Sequence, residues 1–190
     1  GANAAIGAIG VTRRAGASMY HPQIVAAQQA RLEAQFGFPL QRLPAALCHT
    51  NRTQLDTIYD PEKRAPTRAL SQDEQAFVLN EQLLVKIDYR YAAERYIWIN
   101  YAGQSLRPMY PLWESQELIL QELARVELDH WHAQHPDGLL FNILKGRQLG
   151  ASTLCQSLLA HRVLTHGHTR TLIASDVPQN SGSEGLFGML

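Results

Sequence analysis

One stretch near the C-terminal end constrains this chain more than any other: Phe141-Asn-Ile-Leu-Lys145-Gly146-Arg147-Gln148-Leu149-Gly150-Ala151-Ser152-Thr153-Leu-Cys155. An apolar run, Leu139 to Leu144, gives way to a polar turn holding two glycines and two cations. The turn opens into an amphipathic segment, Leu154 to Val163, so the order predicts strand, phosphate loop, helix. In such a loop, successive backbone N–H groups and the positive end of the following helix make a concave site for an anion. A cation reaches the outer phosphates, and a hydroxyl at the helix start ligates magnesium.

Against the general pattern G-x-x-x-x-G-K-[ST], the chain keeps the second glycine as Gly150 and the hydroxyl as Ser152. Lys145 stands where the first glycine belongs and Ala151 where the lysine belongs, so the general pattern is not met. Lys145 and Arg147, at the exit of the predicted strand, can supply the missing charge from the N-terminal side of the loop. Which of the two faces the γ-phosphate is left open.

The run Lys145-Gly-Arg-Gln-Leu-Gly-Ala-Ser-Thr153 resembles the deviant phosphate loop of the large terminase subunit of tailed bacteriophages, in which K-x-R-Q-x-G-x-S-T recurs. A second block, Asp88 to Gln104 followed by Pro108 to Gln116, is similar to the lead-in of the same family. There a helix bearing aspartate and tyrosine runs into a short strand, a glycine turn and an aromatic segment ending in glutamine. The resemblance covers about residues 88 to 190.

That resemblance implies an ATPase that drives double-stranded DNA into a procapsid, with a nuclease elsewhere in the whole protein. ATP and Mg2+ are the implied cofactors. Lys145 and Arg147 would neutralise the phosphates as the catalytic cations, and Gly146 and Gly150 would let the backbone approach. Gln148, Leu149 and Ala151 would complete the loop, while Ser152 or Thr153 would hold magnesium, Ser152 being the first choice. The portal protein, the small terminase subunit and further copies of the chain are implied partners of the full-length protein. The bacterial host's cytoplasm is the implied location, with no membrane.

Gln116 is the candidate for the base. Its amide both donates and accepts, which suits the N6 and N7 edge of adenine, and the preceding aromatic and proline residues could wall the ring. The plainer alternative is a solvent-facing glutamine on a helix, Ser115 to Leu128, whose Ile119, Leu123 and Val126 pack inward. Trp113 reads as a core residue.

Elsewhere the chain predicts a Gly/Ala-rich arm to about residue 19, and a helix from His21 to Phe36 with Pro22 in its first turn and Gly37 as its stop. Pro39 to Thr67 reads as an irregular, mobile connector. Ser71-Gln-Asp-Glu74 is a capping-box pattern, and Phe77, Leu84, Ile87 and Tyr91 follow on one helical face. A short strand is predicted from Tyr96 to Asn100, turned at Gly103. His130, His132 and His135 could suggest a metal, but the segment ends in the turn Pro136-Asp-Gly138 and reads better as a solvated helix end. His166-Gly-His168 reads as a turn.

After the loop, Leu154, Leu158, Leu159 and Val163 form a predicted buried stripe, and Gly167 ends the helix. Thr171 to Ser175 then has the look of a buried parallel strand. Strand, helix, strand predicts a βαβ unit with a right-handed crossover. The expected fold class is therefore α/β: an incomplete P-loop NTPase core with a parallel sheet, preceded by a mainly helical N-terminal region. Residues 1–70 would form arm, helix and connector, and 71–190 the first part of the ATPase domain.

Composition narrows the classes. The chain has 190 residues, 45% hydrophobic and 18% charged, which suits a globular chain able to bury a core. Its 17 basic residues equal its 17 acidic ones, so any contact with nucleic acid depends on a local patch. Cys48 and Cys155 match no metal or redox spacing. The first ten residues are small and apolar without preceding charge, which argues against a signal peptide.

No apolar strand ending in Asp or Glu follows the loop, and a phosphate-loop ATPase needs such an acid for its magnesium. The sequence therefore reads as the N-terminal part of a longer motor, expected to bind ATP weakly without hydrolysing it. Two rivals are another P-loop translocase or helicase, and a non-enzymatic docking module or gene relic in which the glycines serve only the turn.

Overall fold

The computed structural model describes residues 20–60, 62–100, 106–109, 111–133, 142–144 and 150–167. In these the chain forms α1 (Pro22–Phe36), α2 (Ala45–Asp56), β1 (Tyr59–Asp60), β2 (Ala65–Pro66), α3 (Gln72–Ile87), α4 (Tyr89–Arg95), β3 (Trp98–Asn100), β4 (Leu106–Pro108), α5 (Glu114–Ala133) and α6 (Ala151–Thr165). The arm before residue 20 lies outside the described residues, as do Gly103, residues 134–141 and everything beyond Gly167.

Local chemistry accounts for the clearest helix ends. His21 caps α1, its Nδ1 accepting from the Gln23 N–H at 3.2 Å, and Gly37 ends the helix in the left-handed conformation at φ 74°. Ser71 and Glu74 form both halves of the capping box at the start of α3, and Arg68 forks onto the same Glu74 carboxylate. At the other end of α3, Asp88 leaves helical geometry at φ −135° and caps α4, accepting from the Tyr91 N–H at 3.1 Å. The apolar face expected to run unbroken through Tyr91 is thus two helices with Asp88 as the bend.

Where the sequence predicts an irregular connector, the structure has α2 and the β1–β2 hairpin, whose register pairs Tyr59 with Pro66 and Asp60 with Ala65. The α2 sequence has little periodicity, and tertiary contacts hold it. Cys48 is fully buried beneath it, against Glu81 of α3 and Tyr96 at the end of α4. Asn80 pins the approach to α2, accepting from the Gln41 N–H and donating to the Gln41 carbonyl, both at 2.8 Å.

Two apolar clusters meet at α4. One joins Leu40, Leu83, Leu84, Ile87 and Tyr91, with Leu32 and Phe36 of α1 packed against it. The other joins Tyr89 and Ala93 of α4, Ile99 of β3, Met109, Leu120 of α5, and Leu154 and Leu158 of α6. Burying a leucine such as Leu84, Leu120 or Leu154, each without exposed surface, contributes roughly 1.5–3 kcal/mol.

The expected α/β class is overturned. The described residues are mostly helical, and both strand pairings among them are antiparallel two-stranded ribbons, with Trp98 opposite Pro108, Ile99 opposite Arg107 and Asn100 opposite Leu106. The predicted strand before the loop fails where it is described: Asn142, Ile143 and Leu144 are exposed and belong to no strand. α6 packs on α4 and α5 through Leu154 and Leu158, so helices cover the face that a parallel sheet was expected to cover. A short apolar run does not by itself distinguish a strand from other apolar segments, which is how Leu139 to Leu144 misleads. Thr171 to Ser175, the predicted second strand, lies outside the described residues.

Candidate functional site

The start of α6 is where the predicted site residues that the structure describes come together. Gly150 occupies the N-cap position in the left-handed conformation, φ 67° and ψ 4°, and no side chain among the described residues caps the helix. Its carbonyl accepts the first helical bond from the Leu154 N–H at 3.0 Å. Ala151 is buried, while Ser152 and Thr153 are half-buried in the first turn, which carries no acidic residue. The position at which the general pattern has its lysine therefore faces into the protein.

Gln116 reaches this point from α5, 34 residues earlier in the chain. Its Nε2 donates to the Gly150 carbonyl at 3.0 Å, and its Oε1 accepts from the Trp113 N–H at 2.9 Å. Gly150 is needed for space as well as for its φ, because a Cβ there would lie 2.7 Å from Gln116 Nε2 and 3.1 Å from Trp113 Cε3. The first turn of α5 is fixed in turn by Arg90 of α4, whose two terminal nitrogens donate to the Glu117 carboxylate at 2.7 and 2.8 Å.

The phosphate half of the predicted site fits these residues better than the base half. An uncapped helix start with two hydroxyl residues and no carboxylate in its first turn suits an anion. Gln116 is only 4% exposed and is committed to two main-chain partners, so it offers no open edge to adenine. Nor is it the solvent-facing glutamine of the alternative. Trp113, expected in the core, is 39% exposed and lies against Gly150 instead. Lys145, Gly146, Arg147, Gln148 and Leu149 lie outside the described residues.

Ser152 is the residue predicted to hold magnesium. Among the described residues, no group of three or more His, Cys, Asp or Glu side chains is placed to hold a metal ion. The side chains of His130, His132 and His135 lie outside the described residues. No helix among the described residues is long and apolar enough to cross a membrane.

Behind the site, α6 is anchored by polar contacts that the sequence did not announce. Ser157 Oγ donates to the Leu154 carbonyl at 2.7 Å and lies 2.6 Å from Tyr89 Oη. His161 Nε2 lies 2.6 Å from the Val85 carbonyl, which requires the proton on Nε2. Burial pushes the Tyr89 hydroxyl well above the usual phenol range, and raises Tyr20, packed edge-on against it, to about 12. Both phenols therefore stay neutral. Ser157 and His161, four apart on the helical face that also carries Leu154 and Leu158, were the available signal for this anchorage.

Comparison of the chain with protein-family models, with curated proteins and with solved structures finds no match in any of the three.

Proposed function

We propose that the chain carries the nucleotide-binding loop of a DNA-packaging motor ATPase of the large-terminase kind, and takes the phosphates of ATP at the start of α6. The observation that supports this reading is the Gln116–Gly150 hydrogen bond. It ties the end of the aromatic lead-in to the loop glycine, and those are the two sequence blocks on which the resemblance rests. Lys145 and Arg147 are assigned to phosphate neutralisation, and Ser152 or Thr153 to the magnesium that accompanies ATP. DNA, the portal protein and the small terminase subunit are assigned as partners of the whole motor, in the cytoplasm of a bacterial host. The activity proposed for the chain itself is weak, magnesium-dependent nucleotide binding without turnover.

A second reading, a non-enzymatic docking module, draws on the helical architecture and on the commitment of Gln116 to main-chain contacts. Calorimetric titration of the chain with ATP and Mg2+ separates the two. The motor reading predicts saturable binding that weakens by about 1.5–3 kcal/mol on Lys145→Ala or Arg147→Ala, the range for a charge-assisted hydrogen bond. A docking module would show no heat of binding and no response to either substitution.

A further inference from the structure

On the phosphate-site reading above, we propose that Gln116 is a positioning residue for the start of α6, and that the site selects for the polyphosphate and not for the base. A glutamine reads adenine by turning one edge of its amide outward, with Oε1 accepting from N6 and Nε2 donating to N7. Here the amide is turned inward. Oε1 is held by the Trp113 N–H at 2.9 Å, Nε2 by the Gly150 carbonyl at 3.0 Å, and the residue is 4% exposed.

The Gly150 carbonyl thus accepts two hydrogen bonds, one from Gln116 and one from the Leu154 N–H. A peptide oxygen has two lone pairs, so both are used, and the orientation of this peptide is fixed from two elements. Gly150 is also the residue whose left-handed φ of 67° sets the direction in which α6 begins. Holding its carbonyl back into the helix and onto α5 fixes the direction of the amides of the first turn, from Ala151 to Thr153. Those amides are the groups that an anion at this helix start would meet. The close approach explains the glycine from the other side: any Cβ at position 150 would collide with the amide that holds it.

Gln116 therefore acts on ligand through the geometry of the start of α6, and substitution should affect ligands with and without a base alike. The test uses the whole 190-residue chain, titrated calorimetrically with ATP, GTP and inorganic tripolyphosphate in Mg2+. Two variants are compared with it: Gln116→Met, which keeps the buried bulk, and Gln116→Glu, which keeps the acceptor for Trp113 but places an acceptor against the Gly150 carbonyl. Hydrogen exchange of the Leu154 amide without ligand reports the positioning itself.

The expected result is that ATP and GTP bind within about threefold of each other, and that both variants weaken all three ligands by a similar factor of about tenfold. Leu154 exchange should accelerate in both variants while helical content is kept. A preference for ATP over GTP that either substitution erases, with tripolyphosphate unaffected, would overturn the proposal by making Gln116 a base reader. Unchanged Leu154 exchange in both variants would overturn the positioning role on its own. Failure of the unsubstituted chain to bind any of the three ligands would overturn the phosphate-site reading, and the selectivity with it, whatever the exchange data showed.

Discussion

Tyr89 and Ser157 meet hydroxyl to hydroxyl at 2.6 Å, both buried, and join α4 to α6 across 68 residues of chain. Ser157 already donates to the Leu154 carbonyl, so the proton in the bridge is the one on Tyr89. The two truncations are therefore unequal. Ser157→Ala strands a buried phenol donor and should cost about 1–3 kcal/mol, whereas Tyr89→Phe leaves a serine that still donates and should cost nearer ~1 kcal/mol. Urea denaturation of both single variants and the double variant checks this. The double variant should lose clearly less than the two single losses combined, and strict additivity would mean that the bridge does not contribute.

Acid should loosen the same helix. Burial, with the charges of Arg162 and Lys86, lowers His166 to about 4, and burial lowers His161 despite its bond to the Val85 carbonyl and the nearby Asp88. A histidine with a depressed folded pKa binds its proton more readily in the unfolded chain. Its stabilising contribution is full above the ordinary value near 6.5 and is lost as pH falls from there towards the folded value. Thermal unfolding should thus move to lower temperature between pH 7 and pH 5, and His166→Asn should flatten part of that slope. An unchanged slope in the variant would show that His166 does not carry it.

The features legible in the sequence are those written within a few residues. Ser71 and Glu74 stand three apart and predict their own hydrogen bonds, and His21, Pro22 and Gly37 mark both ends of α1. Failure begins where distant residues decide. α2 has no helical period to read, because what holds it is tertiary: the Cys48 thiol between Glu81 and Tyr96, His49 edge-on to Trp98, and Arg52 over the Tyr96 ring. Asp88 reads in the sequence as part of a helix and not as a break, because the apolar spacing carries on across it, although an aspartate ahead of an apolar run is also an N-cap signal. At the candidate site, Gln116 and Gly150 were each legible as residues of interest. That they hold each other was not, since no local pattern relates positions 34 apart. The fold class failed for a similar reason: α6 looks the same in sequence whether a sheet or two helices cover it.

Gln156 sits on the buried side of α6. It is 3% exposed, and neither amide atom has a hydrogen-bond partner among the described residues. A buried amide without partners is destabilising relative to an apolar side chain of the same length. Gln156→Met should therefore raise stability by about 1–2 kcal/mol in chemical denaturation, with the denaturant dependence unchanged. Destabilisation by this substitution would mean that the amide is satisfied in solution.

The two thiols should differ sharply in reactivity, because their surroundings differ. Cys48 has no exposed surface, and its Sγ lies 3.1 Å from a Glu81 carboxylate oxygen and 2.8 Å from Tyr96 Oη. Glu81 also accepts from Tyr91 Oη at 2.7 Å and from Tyr96 Oη at 2.8 Å, so an acceptor-rich cluster surrounds the sulfur. Burial is the main cause that pushes the thiol up to about 11, with Glu81 adding to it and Tyr96 and Arg95 opposing it. The thiolate is the reactive form, so at pH 8 only about one Cys48 in a thousand carries the charge, and access is closed besides. Cys155, on α6, is half-buried and so keeps some exposed surface. Mass spectrometry after brief iodoacetamide treatment of the native chain should find Cys155 modified at least ~10-fold faster than Cys48, with both modified after denaturation. Glu81→Gln tests whether the cluster or burial alone protects the sulfur. If burial dominates, as the order of causes implies, the variant keeps Cys48 unreactive so long as α2 stays docked, and rapid native labelling would mean that α2 opens once its carboxylate acceptor is gone.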